Sequence, residues 1–338
     1  MIEASIVGAS GYTGGELFRL LLNHPDARVK QAACISNAGK KLSEIHPNLR
    51  KRTDMKFCAL NELQECDVLF LATPHGIMHR DLPKYLKLAP KIVDLSADYR
   101  LKNPAAYPEW YGFEHENRQF LEKFVYGIPE LHREEIKKAD FVSGAGCIAT
   151  SAILALYPLR EIAESVVIDS KVGSSASGSA FSIATHHPER CHAVRPFKAT
   201  MHRHTAEIEQ ETGLTVSLSA HAIELVRGIS STLHITPNKT ITEKDAWGLY
   251  RNAYSEEPFI RIVKERSGVY RYPEPKIVAG TNFCDIGFEL DSHSNRLVVF
   301  SAIDNICRGS SGQAVQCMNL MLGFEETAGL KEVGLHPC

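Results

Sequence analysis

The sequence predicts an α/β protein, with a parallel, doubly wound sheet in its first half and an α+β domain with a mixed or antiparallel sheet in its second. Three observations carry this. Short apolar runs alternate with helical patterns up to about residue 145. Two of those runs, 67–72 (DVLFLA) and 92–95 (IVDL), are almost continuously apolar, as strands buried on both faces require. Beyond residue 165 the strand patterns lengthen, and several alternate with period two.

In chain order, residues 3–7 read as a first strand and 14–22 as a helix, with Leu17, Leu20 and Leu21 at helical spacing. A second strand is expected over 29–35, followed by 67–72, 92–95 and a short one at 141–143. In the second half the strands fall at 166–173, 215–222, 230–236, 283–290 and 297–303, with helices at 205–211 and 243–254. A last helix, 312–322, follows a turn rich in glycine and serine. The expected division is a dinucleotide-binding domain over 1–146, with the C-terminal segment 309–338 packing back on it, and a catalytic domain over 147–308. There is no internal repeat and no low-complexity stretch.

Composition narrows the function classes. The 38 basic and 40 acidic residues are interspersed and leave a net charge of −2, so no basic field points to nucleic acid. No apolar run reaches the roughly 20 residues that span a bilayer. The start, MIEASIVGAS, lacks the basic region of a signal peptide and reads as a strand. Nine scattered cysteines, none spaced Cys-x-x-Cys, imply neither a zinc cage nor a disulfide framework. A cytoplasmic protein with reduced thiols is the expectation, with no metal, membrane or nucleic-acid partner.

Gly8-Ala9-Ser10-Gly11-Tyr12-Thr13-Gly14 joins the first strand to the first helix. Glycines at this place let the backbone approach a pyrophosphate, and the helix start offers unpaired N–H groups, so a Rossmann-type nucleotide site is expected here. The adenosine ribose should meet the end of the second strand, at Cys34, Ile35 and Ser36. No acid stands between Ala33 and Lys41, which argues against strict NAD use; Ser36, Lys40 and Lys41 are the groups that can hold a 2′-phosphate.

Cys147 follows a strand and the small residues Ser143-Gly144-Ala145-Gly146, and precedes the helical run AILALYPL. A thiol at a helix start has its pKa lowered by the dipole, and the same N–H groups can stabilise an oxyanion. Its proton-transfer partner is sought in Met201-His202-Arg203-His204: His202 is preferred and His204 is the alternative. Arg203 or Arg195 can grip an anionic group. The pair His186-His187 competes, but Pro188 and Glu189 after it place it in a loop.

Together these segments resemble the N-acetyl-γ-glutamyl-phosphate reductases of arginine synthesis and their relatives in lysine synthesis. The match runs nearly end to end, through GASGYTGGE (8–16), ATPHG (72–76), DLSADYRL (94–101), YGIPEL (126–131), GAGCIATSAILALYPL (144–159), HRHTAEI (202–208) and GSSGQAVQCMN (309–319). Around the nucleophile the arginine enzymes usually carry Asn-Pro-Gly-Cys-Tyr-Pro-Thr. Gly144-Ala145-Gly146-Cys147-Ile148-Ala149-Thr150 looks instead like the lysine branch, whose substrates ride on a small acidic amino-group carrier protein. Residues 187–190, 194–196, 257–261 and 334–337 look the same way.

The resemblance implies NADPH-dependent reduction of carrier-bound 2-aminoadipate 6-phosphate, or of the glutamyl equivalent, to the semialdehyde through a thioester on Cys147. It also implies phosphate contacts at Ser10, Gly11, Tyr12 and Thr13, a nicotinamide contact at Asn305, and a dimer or tetramer. Ile35 departs from the arginine that relatives usually place toward the 2′-phosphate. The alternatives are the ordinary arginine-pathway reductase, an aspartate-semialdehyde dehydrogenase, a nucleotide sensor without catalysis, and a cysteine hydrolase. The HRH and YGIPEL segments speak against the second and the glycine turn against the last.

Overall fold

A computed structural model describes residues 1–337, which divide into two compact units. The first comprises Met1–Ala145 and Ser310–Lys331. The second comprises Gly146–Gly309 and the residues from Glu332 onward.

In the first unit the chain runs β1 (Ile2–Val7), α1 (Tyr12–Leu22), β2 (Ala27–Ala33), β3 (Val68–Leu71), α2 (Met78–Tyr85), β4 (Lys91–Asp94), β5 (Phe124–Gly127), α3 (Pro129–Ile136) and β6 (Phe141–Gly144). The six strands form one sheet in the order β2-β1-β3-β4-β6-β5, and every pairing is parallel. All four residues of β3 are fully buried, which is why that run carries no alternation. The helix Gly312–Leu322 packs on α1 and α3. Its buried Asn319 donates to the Glu326 and Ala328 carbonyls at 3.0 and 2.9 Å, so a polar residue sits there without an unmet hydrogen bond.

Two strand expectations need correction. The second strand ends at Ala33 and does not reach Ile35. Its partner strand is β1, whose ladder stops at the Val7–Ala33 pair; the Gly8 and Ala9 N–H groups then both donate to the Ala33 carbonyl, and on the other side only an isolated bridge joins Ala33 to Cys58. Cys34 and Ile35 therefore lie in the following loop. β5 was not expected: its four residues pair only with β6 at the sheet edge and follow a charged stretch that masks them.

The second unit contains α4 (Cys147–Leu156), β7 (Ala163–Val172), β8 (Val194–Lys198), α5 (His204–Thr212), β9 (Ser217–Ile223), β10 (Ile229–Pro237), α6 (Glu243–Tyr254), β11 (Ile260–Ile262), β12 (Cys284–Asp291) and β13 (Arg296–Ile303). The seven strands form one mixed sheet, β11-β12-β13-β10-β7-β9-β8, parallel only at β7/β9 and β11/β12. α4 lies on β10 and β13, where Ser151 Oγ is within hydrogen-bond distance of Ser231 and Ser301 Oγ, each at 3.0 Å. Tyr250 and Tyr254, one helical turn apart on α6, donate their hydroxyls to the Ala155 and Leu154 carbonyls of α4 at 2.6 and 2.7 Å. The helix carrying Cys147 is thus fixed on two sides.

β8 and β11 were also not expected. β8 is an exposed edge strand interrupted by Pro196, and β11 is three residues long; neither carries a usable period. Residues His187–Arg190 form one helical turn where a loop was expected, because Pro188 stands at the start, where proline suits a helix. No helix among the described residues is long and apolar enough to cross a membrane.

Candidate active site

The glycine turn stands between β1 and α1, at the C-terminal edge of the parallel sheet. Gly8 has φ +81°, and a side chain there would collide with the Ala72 carbonyl. Gly14 is equally confined, since a Cβ would lie 2.5 Å from the Ala9 Cα. Gly11 differs. It caps α1, and a Cβ there would come no closer than 3.5 Å to the Gly8 carbonyl. Packing forces the outer two glycines, while Gly11 leaves the helix start open to an incoming group. The first-turn N–H groups over Tyr12, Thr13 and Gly14 have no intrahelical partner, which makes the turn a cradle for a pyrophosphate. Ser10 flanks it, and the Thr13 carbonyl accepts from the Ser311 hydroxyl at 2.9 Å. At the expected ribose end, Cys34 is buried with its N–H bonded to the Cys58 carbonyl at 3.1 Å, whereas Ile35 and Ser36 are exposed. The residues present fit a dinucleotide.

Cys147 is the first residue of α4, and Gly146 is its N-cap in extended conformation. The Thr150 amide and hydroxyl both bond to the Gly146 carbonyl, at 2.7 and 3.1 Å, which closes the first turn behind the thiol. The side chain is partly exposed. Gly309 backs it: a Cβ there would lie 2.6 Å from the Cys147 Cβ. Gly309 belongs to a π-helical turn, Cys307–Ser311, in which its N–H reaches the Asp304 carbonyl at 2.9 Å. Such turns recur at functional sites because the extra residue redirects the backbone.

The histidines differ in position. His204 begins α5 and is buried; a Cβ on Gly146 would sit 2.5 Å from its Nε2. Its ring therefore packs against the residue that caps the cysteine helix, and only glycine allows that approach. Fully buried Glu207, on the same first turn, ties the pieces together: its Oε2 accepts from the Gly146 N–H at 2.8 Å, and its Oε1 lies 3.8 Å from His204 Nε2. His202 stands behind. Its Nδ1 accepts from the His204 N–H at 3.2 Å, and the two rings meet edge to face at 4.7 Å. Burial, aided by the nearby Arg203 and Lys198 charges, pushes the His202 pKa down to about 4, so this ring is neutral across the physiological range.

The remaining candidates spread out. Arg203 caps α5, next to both histidines. Arg195 lies on edge strand β8, its guanidinium donating to the Glu189 carbonyl at 2.5 Å. Asn305 is buried: its Oδ1 accepts from the Gly228 N–H at 2.7 Å, and its Nδ2 donates to Ser175 Oγ at 2.9 Å. Among the described residues one set of potential metal ligands lies close together, Cys191, His192 and Glu224, and neither histidine of the HRH segment belongs to it.

Sequence reasoning missed Glu207 and Asp304. Asp304 is fully buried, pairs with Arg227 Nε at 2.8 Å, and accepts from the Gly280, Ile306 and Cys307 N–H groups at 2.7–2.9 Å. Its only sequence signal was an acid directly before Asn305. For Glu207 the signal was sharper, since it falls three residues after His204 on one helix face.

A doubly wound sheet with a glycine turn ahead of its first helix is the architecture of an NAD(P)-dependent oxidoreductase, and comparison with known proteins places the chain in that class. Residues 3–139 match the semialdehyde dehydrogenase, NAD binding domain, and residues 147–305 match the semialdehyde dehydrogenase, dimerisation domain. The chain belongs to the semialdehyde dehydrogenase family and is an NAD(P)-dependent oxidoreductase. Similar curated proteins include a putative [LysW]-L-2-aminoadipate 6-phosphate reductase of Thermomicrobium roseum, 50% identical over all of this chain and 99% of that one. A putative [LysW]-L-2-aminoadipate/[LysW]-L-glutamate phosphate reductase of Pyrococcus abyssi is 48% identical over the full length of both. Among solved structures, aspartate semialdehyde dehydrogenase II of Vibrio cholerae superposes with a TM-score of 0.73, covering 96% of this chain and 99% of that one at 13% identity. The Candida albicans aspartate semialdehyde dehydrogenase with NADP gives 0.71, covering 95% and 98% at 15% identity. These likenesses show a shared fold.

Proposed function

We propose that the protein reduces the acyl phosphate of a 2-aminoadipyl group, a glutamyl group, or both, carried on a partner protein, to the corresponding semialdehyde. The support for the substrate is the full-length likeness to relatives named for that reaction, at 45–50% identity. The support for the chemistry is Cys147 at the start of α4, with His204 and Glu207 against its cap.

The thiolate of Cys147 attacks the acyl carbon, phosphate leaves, and a thioester forms on Sγ. First-turn N–H groups of α4 face the charge that develops on the carbonyl oxygen. Reduced nicotinamide, when bound, supplies the hydride that turns the thioester into a hemithioacetal. Collapse of that adduct returns the thiolate and releases aldehyde. We assign the proton transfers to His204, because its ring packs against Gly146, the cap of the Cys147 helix, with Glu207 Oε1 3.8 Å from its Nε2. His202 then acts as a positioning residue, holding the backbone of His204 with a ring that is neutral at physiological pH. This reverses the order of preference that the sequence suggests. The second unit matches a dimerisation domain, and a homo-oligomer is part of this reading.

The test is NADPH oxidation with three substrates: carrier-bound 2-aminoadipyl phosphate, carrier-bound glutamyl phosphate, and free N-acetylglutamyl phosphate. Turnover of one or both carrier-bound substrates, well above the free one, supports the reading. Preference for the free substrate would refute it in favour of the arginine-pathway reductase.

A further inference from the structure

We propose that the 2′-phosphate of NADP(H) is selected by Lys40, with the Ser36 hydroxyl beside it, and not by the adjacent Lys41. The proposal rests on reading residues 8–14 as a dinucleotide turn and concerns the other end of that ligand. In a doubly wound sheet the adenosine ribose meets the end of the second strand. Here that end is tied to the turn itself, because the Ala33 carbonyl accepts from the Gly8 and Ala9 N–H groups at 2.9 and 3.0 Å.

Residues 37–40 form a tight turn beyond it. The Lys40 N–H donates to the Asn37 carbonyl at 3.1 Å, and Gly39 supplies a φ of +86°. The turn is clamped from the far side: the Gly39 N–H donates to the Phe57 carbonyl at 2.8 Å, and the Phe57 N–H returns to the Lys40 carbonyl at 2.9 Å. Its side chains are therefore presented from a fixed backbone.

The two lysines differ in what they face. Lys40 Nζ folds back over the turn and donates to Asn37 Oδ1 at 3.1 Å, while Asn37 Nδ2 donates to Ser36 Oγ at 3.3 Å. An ammonium has three N–H donors and a serine hydroxyl has one, so donors remain on both ends of this chain. The acceptor of Lys40 is neutral, so the charge is not cancelled. Lys41 is cancelled: its Nζ lies 2.7 Å from Asp54 Oδ1, and its backbone N–H donates to Glu44 Oε1 at 2.8 Å. The hydrogen bond to Asp54, and then its charge, holds the Lys41 pKa above its ordinary value.

Residues 33–40 contain no carboxylate to take the two ribose hydroxyls of NAD(H). Ile35, 85% exposed, has no polar group for a phosphate; its apolar surface suits the face of the adenine. A ligand carrying a 2′-phosphate thus meets one uncancelled cation and a hydroxyl, whereas one lacking it meets no compensating acceptor.

The experiment measures dissociation constants of NADPH and NADH by fluorescence titration of the full chain, without acyl substrate, for the wild type and for Lys40→Ala, Ser36→Ala and Lys41→Ala. Lys40→Ala is expected to weaken NADPH about five- to tenfold and NADH less than about twofold, with the difference shrinking as salt is raised. Ser36→Ala should act in the same direction by a smaller factor, and Lys41→Ala should leave the NADPH/NADH ratio unchanged. Equal weakening of both ligands by Lys40→Ala, or a larger change in the ratio for Lys41→Ala, overturns the assignment. Failure of the wild type to bind either ligand overturns instead the reading of the glycine turn.

Discussion

The two units furnish a helix start by opposite means. In the first, the cradle is backbone: Gly8 and Gly14 are fixed by contact, and Gly11 leaves α1 open. In the second, the helix start is dressed by buried side chains from distant sequence. Glu207 takes the Gly146 N–H, His204 fills the space above Gly146, and Gly309 backs the cysteine. A backbone cradle suits a diphosphate, which needs many N–H donors and no chemistry. In the proposed reaction the thiol gains and loses an acyl group, which calls for a proton carrier, and side chains provide one.

The largest effect that would break this contrast is at the nucleophile. Cys147→Ser is expected to lower kcat by at least about a thousandfold with the melting temperature little changed; near-normal turnover would end the thioester scheme. Next come the glycines. Gly146→Ala drives a methyl into the His204 ring and should lower kcat by roughly 10- to 100-fold while leaving NADPH affinity intact. Gly11→Ala meets no such obstacle within the protein and should weaken NADPH binding with little loss of stability. If both substitutions moved the same parameter, the division of labour would be wrong.

Glu207→Gln sharpens the second region. The amide oxygen still accepts from Gly146, but the charge facing His204 is gone. A fall in kcat of about tenfold is expected, with NADPH affinity unchanged. An unchanged kcat would reduce Glu207 to a helix cap.

The smallest effects concern stability, and the two regions should respond to pH with opposite sign. Asp94, fully buried at the end of β4 beside Asp98, has its pKa raised to about 7 by burial and then by that neighbouring charge. Between its ordinary value near 3.8 and about 7, the folded chain binds the extra proton, so this group lowers stability as pH rises through that window. Asp94→Asn should remove the slope and raise the melting temperature above pH 7. His202 works the other way. Folded, it takes a proton only near pH 4; unfolded, near 6.5. The unfolded chain binds more protons between these values, so stability falls as pH drops from about 6.5 to 4, and His202→Gln should flatten that fall. Thermal melts between pH 4 and 8 read both.

How much of this was legible beforehand follows the same division. The glycine turn, Cys147 and the helices bearing them are contiguous in sequence, so spacing and composition reveal them. Glu243–Tyr254 and Gly312–Leu322 were readable to the residue because long amphipathic or capped segments set their own limits. β8 and β11 were not, since an exposed edge and a three-residue strand are defined only by the partner they pair with. The second strand stopped short of Ile35 for the same reason: its neighbour ran out first.

The sequence by itself determined the class, an NAD(P)-dependent oxidoreductase, because alternating strands and helices with a glycine turn before the first helix are local arrangements. Tertiary structure alone decided which histidine stands at the cap of the helix that begins with Cys147, that Glu207 reaches this cap, and which of two adjacent lysines pairs with a carboxylate. Those choices depend on groups that meet from a distance along the chain, 61 residues for Gly146 with Glu207 and 13 for Lys41 with Asp54, and no spacing along the chain encodes such a meeting.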